Sequence, residues 1–227
     1  MTTADKIIKF NKNLDLKAKL PGGIRVMNPF KEHEETARVS AAFYRKYYDD
    51  TRSRIMILGI NPGRFGAGIT GIPFTDTKRL EEYCGIEMKD FNSHEPSSTF
   101  IYEMIEAYGG VERFYRDVFI GAVCPLGFVK KKEKKEVNYN YYDDKELLSS
   151  TWDFIKKSIS AQFDFNIRPD RCICLGNNKN YKYLDKINRE LKLFEEIIPL
   201  EHPRYIAQYK SKDKDMFIEK YLKVLLG

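Results

Sequence analysis

Two short stretches hold residue types that could act on a polar bond. Residues 59–74 read GINPGRFGAGITGIPF, with Asn61 near the start and five glycines in the run. Residues 201–205 read EHPRY, with His202 followed by Pro203 and Arg204. An Asn amide orients a water well but is a poor base. A neutral His can donate one hydrogen bond to an oxygen that gains negative charge in the transition state. An Asn in the first stretch together with a His in the second is the specific feature. The glycines let the backbone take φ > 0 and come close to a ligand. The stretch is not a Walker A loop, since no GK[ST] follows, and it lacks the GxGxxG dinucleotide pattern.

These residues work together only if the fold brings them to one place. Four short apolar runs, 55–58, 118–123, 172–175 and 197–200, read as strands buried on both faces. Helical patterns cover 34–48, 98–108, 144–162, 179–193 and 213–226. Alternating strands and helices predict a three-layer α/β/α sandwich around a four-stranded, mostly parallel sheet. No internal repeat or long linker divides the chain, so residues 1–227 read as one domain. Ligands of such sheets bind outside the carboxyl ends of the strands. The loops after residues 58 and 200 would then put Asn61 and His202 on one rim. Asn177 and Asn178 read as caps of the helix that follows.

Composition narrows the class. Of 227 residues, 42% are hydrophobic and 32% charged, as in a soluble folded chain. No apolar run approaches the roughly 18 residues of a membrane helix, and the N-terminus lacks the apolar core of a secretory signal. A cytoplasmic protein with no membrane partner is expected. The net charge is 39 − 33, or +6, which permits a polyanionic partner. Cys84, Cys124, Cys172 and Cys174 read as reduced core thiols, and neither they nor the three histidines have zinc-site spacing. The run 130–136, KKKEKKE, reads first as a solvated loop. Tyr139, Tyr141 and Tyr142 beside it allow a basic, stacking edge for nucleic acid. Phe65 and Trp152 read as core aromatics.

The motifs resemble those of the uracil-DNA glycosylase superfamily, and its single-strand-selective monofunctional branch in particular. Gly59-Ile60-Asn61-Pro62-Gly63-Arg64-Phe65-Gly66, then three residues and Thr70-Gly71-Ile72-Pro73-Phe74, keeps that branch's first motif in register. His202-Pro203-Arg204-Tyr205 is similar to its second motif, and Cys124-Pro125-Leu126 to a strand-end motif. The segment from Pro21 to Pro29, PGGIRVMNP, resembles the branch's N-terminal segment. The resemblance implies a monofunctional DNA glycosylase that removes a deaminated or damaged base in base excision repair. It implies a monomer acting on single- or double-stranded DNA, with no metal and no cofactor. Asn61 would position water, and His202 would donate to the base. Phe74 would stack under the flipped base, with Ile60 and Gly63 shaping the pocket. Arg204, Gln208 and Tyr209 would form the DNA wedge, and Lys130, Lys131 and Lys132 would meet phosphates.

Two positions depart from the family. The Asn that reads the uracil edge is Ala122 here, so Asn138 or Asn140 could take over reading, or the substrate could extend to xanthine. The serine of the second motif is Arg204. A non-catalytic nucleic-acid binder of the same fold is one alternative, and a hydrolase of free nucleosides or nucleotides another.

Overall fold

Strands form at 54–59 and 118–122 because their residues can be buried on both sides; the run 197–200, expected to be buried on both faces, is an edge strand in which only Leu200 is buried. The computed structural model describes residues 1–133 and 135–227. Its strands are β1 (Ile24–Met27), β2 (Arg54–Gly59), β3 (Val118–Ala122), β4 (Gly127–Lys132), β5 (Lys135–Tyr139), β6 (Ile167–Leu175) and β7 (Glu196–Leu200). Four of them make a parallel sheet in the order β3-β2-β6-β7. Every residue of β2 and β3 is buried, so helices must cover both pleated faces and three layers result. Ile57 stands beside Ile120 on one side and Ile173 on the other, the β-branched packing such a sheet requires.

The expected strands are all present. β6 begins five residues before the expected 172, its first part reading RPDR rather than apolar residues, and its pairing with β2 shifts register between Arg54 and Met56. The five expected helices appear as Glu34–Tyr48, Pro96–Tyr108, Lys145–Phe163, Lys179–Leu191 and Lys214–Leu226. A further helix, Thr3–Asn13, begins with a capping box between Thr2 and Asp5.

One element lay outside the sequence reading. β1, β4 and β5 form a separate three-stranded antiparallel sheet in the order β1-β4-β5. The 130–136 run is therefore not a solvated loop but the outer part of a hairpin, with Lys131 opposite Glu136 and Phe128 opposite Tyr139. Lys134 itself lies outside the described residues. Arg25 of β1 ties the sheet together by meeting Glu136 at 3.0 Å. Charge hid β4 and β5, because their outer ends carry exposed lysines and within them only Gly127 to Val129 are buried.

Candidate active site

The loop after β2 is folded tightly on itself. Gly68 N–H donates to the Gly63 carbonyl at 2.9 Å, and a Cβ on Gly68 would stand 2.7 Å from that same oxygen. Only a bare backbone fits there. Thr70 Oγ1 donates to the Thr75 carbonyl at 2.6 Å and accepts from Ile72 N–H, which locks the end of the loop. This lock holds Phe74 at φ 53, a left-handed conformation that bulky residues avoid. The Phe74 ring lies over Gly59, where a Cβ would meet it at 2.8 Å.

Asn61 bridges this loop to the second sheet. Its Oδ1 accepts from Tyr141 N–H at 3.1 Å, and its Nδ2 donates to the Tyr139 carbonyl at 3.3 Å. The amide is thus oriented by backbone on both sides, and one lone pair of Oδ1 remains for a water. Asn138 makes a parallel contact: its Oδ1 accepts from Arg64 N–H at 3.0 Å. The hairpin that sequence reasoning missed is therefore what fixes the loop carrying Asn61.

His202 stands at the N-cap of the helix Pro203–Tyr209, directly after β7. Its Nδ1 accepts from Arg204 N–H at 3.1 Å. That bond places the ring proton on Nε2, which becomes a donor. Burial, followed by the charge of Arg204, lowers the His202 pKa to about 4. The imidazole is neutral at pH 7. Its ring centroid is 5.6 Å from that of Phe74, with the planes tilted by 50°.

Asn61, Phe74 and His202 border one cleft of about 770 Å³ measured out to its mouth. Ile60, Gly63, Ala122, Asn138, Asn140 and Arg204 line it as well. Ala122 also borders a second void, on the side walled by Tyr44, Phe119 and Phe165. Two further lining residues, Glu95 and Ser97, had no signal in the sequence. Glu95 precedes Pro96 at a helix start, where a Glu reads as an ordinary terminus residue.

A sequence model of the uracil DNA glycosylase superfamily matches residues 45–226. The chain belongs to that superfamily. It is also similar to the crystal structure of wild-type SMUG2 from Pedobacter heparinus. The two are 54% identical, with 99% of this chain and 97% of that one covered, at a TM-score of 0.96. The chain is a DNA glycosylase, a hydrolase of base excision repair, and its partner is DNA.

In this glycosylase the helix Pro203–Tyr209 presents Arg204 to the cleft and leaves Gln208 exposed one turn on. Tyr205 and Tyr209 form an exposed pair beside them, with ring centroids 5.7 Å apart. Lys131 and Lys132 are exposed on the hairpin. Lys130 is not free in the same way, since its ammonium lies over the Tyr139 ring and reaches the Tyr139 hydroxyl at 3.4 Å.

Several expectations need correction. Phe65 is no core aromatic: it is 48% exposed, with the Arg64 guanidinium 4.3 Å above its ring. Tyr141 offers no stacking face, because it is fully buried and its hydroxyl donates to Asn180 Oδ1. Asn178 occupies the N-cap position but its side chain makes no cap bond. Asn180 binds the Leu175 carbonyl from inside the helix instead. The four cysteines are free and buried, and Trp152 packs half-buried against the core. Among the described residues no helix is long and apolar enough to cross a membrane.

Proposed function

We propose that this glycosylase hydrolyses the N-glycosidic bond of a flipped-out deaminated base and accepts a wider range than uracil, reaching deaminated purines such as xanthine. The observation that carries this reading is the shared cleft of Asn61, Phe74 and His202 with alanine at position 122. The bond from C1′ to the base nitrogen breaks with its electron pair going to the base. His202 Nε2–H donates to the base oxygen as that charge builds, a bond worth about 3–4 kcal/mol in the transition state. Asn61 holds a water whose oxygen bonds to C1′ of the cationic sugar, and the water's proton leaves to solvent or to the departing base. The flipped base stacks on Phe74. Neither motif core contains a lysine that could form a Schiff base, in keeping with a monofunctional enzyme.

Alanine at 122 supplies no donor or acceptor to the base edge and frees volume for a larger ring. Without an amide at 122, a base that could not pair with it leaves no buried polar group unpaired at that position. Ala122→Asn is expected to move the ratio of uracil to xanthine cleavage towards uracil by roughly tenfold or more. The measurement is abasic-site formation on matched oligonucleotides carrying uracil, hydroxymethyluracil, hypoxanthine or xanthine. A parent that cleaves only uracil, unchanged by the substitution, would contradict the wider range.

The same reading treats residues 1–227 as one catalytic unit, acting as a monomer in the cytoplasm. Arg204, Gln208 and Tyr209 enter the DNA beside the flipped base, and the lysines of the hairpin meet phosphates. Phosphate contacts release counterions, so affinity for an abasic-site oligonucleotide falls with salt. Reversing the charge of Lys131 and Lys132 is expected to flatten the plot of log affinity against log salt by about two units of slope. An unchanged slope would remove the hairpin from the interface.

A further inference from the structure

One ionisable side chain of the cleft has no part in the roles above. Glu95 stands before Pro96, which holds its backbone extended at φ −126 and ψ 121. Its side chain does not cap the helix that follows and lines the cleft instead. One carboxyl oxygen would lie 2.7 Å from a Cβ on Gly63, and the other 2.1 Å from a Cβ on Gly66. The bare backbone of the loop after β2 therefore makes the room that the carboxyl fills. The same point above Gly63 is 3.6 Å from Asn138 Nδ2. Arg64 N–H occupies the Asn138 oxygen and so fixes that amide with its NH₂ on the Gly63 side. A carboxyl and an amide NH₂ converge on one part of the cleft wall.

We propose that Glu95, together with Asn138, reads the edge of the flipped base in place of the amide that position 122 lacks. The proposal rests on the glycosylase reading above and deepens it by assigning the specificity-determining residues. A neutral carboxylic acid offers an O–H donor beside a carbonyl acceptor, the same pair an amide offers. Deaminated bases carry an N–H beside a carbonyl, which that pair matches. An ionised carboxylate could only accept, and it would set a negative charge against the base oxygen.

The surroundings favour the neutral form. Burial first, and then the nearby Asp76 carboxyl, push the Glu95 pKa up to about 7. The charge of Arg204 and the hydroxyls of Ser97 and Ser98 pull the other way. Asp76 is held in place: its Oδ2 accepts from Glu95 N–H at 2.8 Å and lies 3.6 Å from Arg79 and 3.5 Å from His94. Arg204 and the neutral His202 line the same cleft. Reading by Glu95 is thus favoured below about 7 and is lost as pH rises through that value.

The test is single-turnover cleavage of uracil and xanthine oligonucleotides from pH 5 to 9 by the parent, Glu95→Gln and Glu95→Ala. Binding to an abasic-site oligonucleotide checks that each variant is folded. The parent rate is expected to fall above pH 7. Glu95→Gln, whose amide cannot ionise, should keep most of the rate at pH 6 and hold it to pH 9. Glu95→Ala should lose roughly 10- to 100-fold at pH 6 with binding kept, as a site does when a polar reader is removed. Loss of activity in Glu95→Gln as deep as in Glu95→Ala would overturn the proposal, since it would mean that the ionised carboxylate is needed. A parent profile flat through pH 7, or an Ala variant as fast as the parent, would overturn it equally. If the parent cleaves while these variants behave otherwise than expected, Glu95 alone loses its role. If the parent cleaves no base at any pH, the glycosylase reading falls with it.

Discussion

Replacing His202 with alanine is expected to slow base release by roughly 10²–10³ while leaving affinity for abasic-site DNA nearly unchanged. One hydrogen bond sets the geometry. Arg204 N–H donates to Nδ1, so the ring offers Nε2–H from a fixed position at the helix start. A donor held in place before the reaction strengthens as charge develops on the base and does little in the ground state. The effect therefore belongs in the rate rather than in binding. Protonating the ring would oppose the Arg204 N–H with a second N–H at Nδ1. Since the His202 pKa is lowered to about 4, activity should hold down to that pH and fall below it. Single-turnover kinetics at saturating enzyme measure the first effect, and the acid limb of the same assay measures the second. An unchanged rate in His202→Ala would remove this residue from the mechanism.

Asn61→Ala should match that loss in rate, at roughly 10²–10³, yet differ from it in binding. Asn61 has two tasks. It orients the water, and its amide joins the loop after β2 to the backbone of Tyr139 and Tyr141. Removing it frees the end of β5, where Asn138 and Asn140 line the cleft. Affinity for abasic-site DNA should weaken several-fold as well. Asn61→Asp keeps the acceptor for Tyr141 N–H but turns the donor facing the Tyr139 carbonyl into an acceptor. It should therefore recover rate by holding water while the weakened binding persists. Parent-like kinetics in Asn61→Ala would show that no water is held there.

The parallel sheet was legible because each of its strands contains a short apolar run, even though β6 also takes in the polar RPDR and β7 is buried only at Leu200. The rim follows from it: once β2 and β7 are placed in parallel, Asn61 and His202 must emerge at the same edge. The antiparallel sheet was not legible. Its strands β4 and β5 are mostly half-buried or exposed, and the pairing of Lys131 with Glu136 depends on a partner strand that a lysine-rich run does not reveal. Glu95 was hidden for a related reason. Its place in the cleft comes from the fold of a distant loop, where Gly63 and Gly66 leave space for its oxygens. Phe65 shows the opposite error. Its apolar ring reads as core, yet it is exposed beneath the Arg64 guanidinium.

Hydrolysis by water with His202 as the donor leaves an unbroken strand at an abasic site, which alkali then cleaves. The most direct measurement is incubation of the parent and His202→Ala with an end-labelled oligonucleotide carrying one uracil, read with and without alkali. Free base and a strand break only after alkali are expected with the parent, and roughly a hundredfold less of both, or lower still, with the variant. Strand scission without alkali, or equal product from the two proteins, would contradict this mechanism.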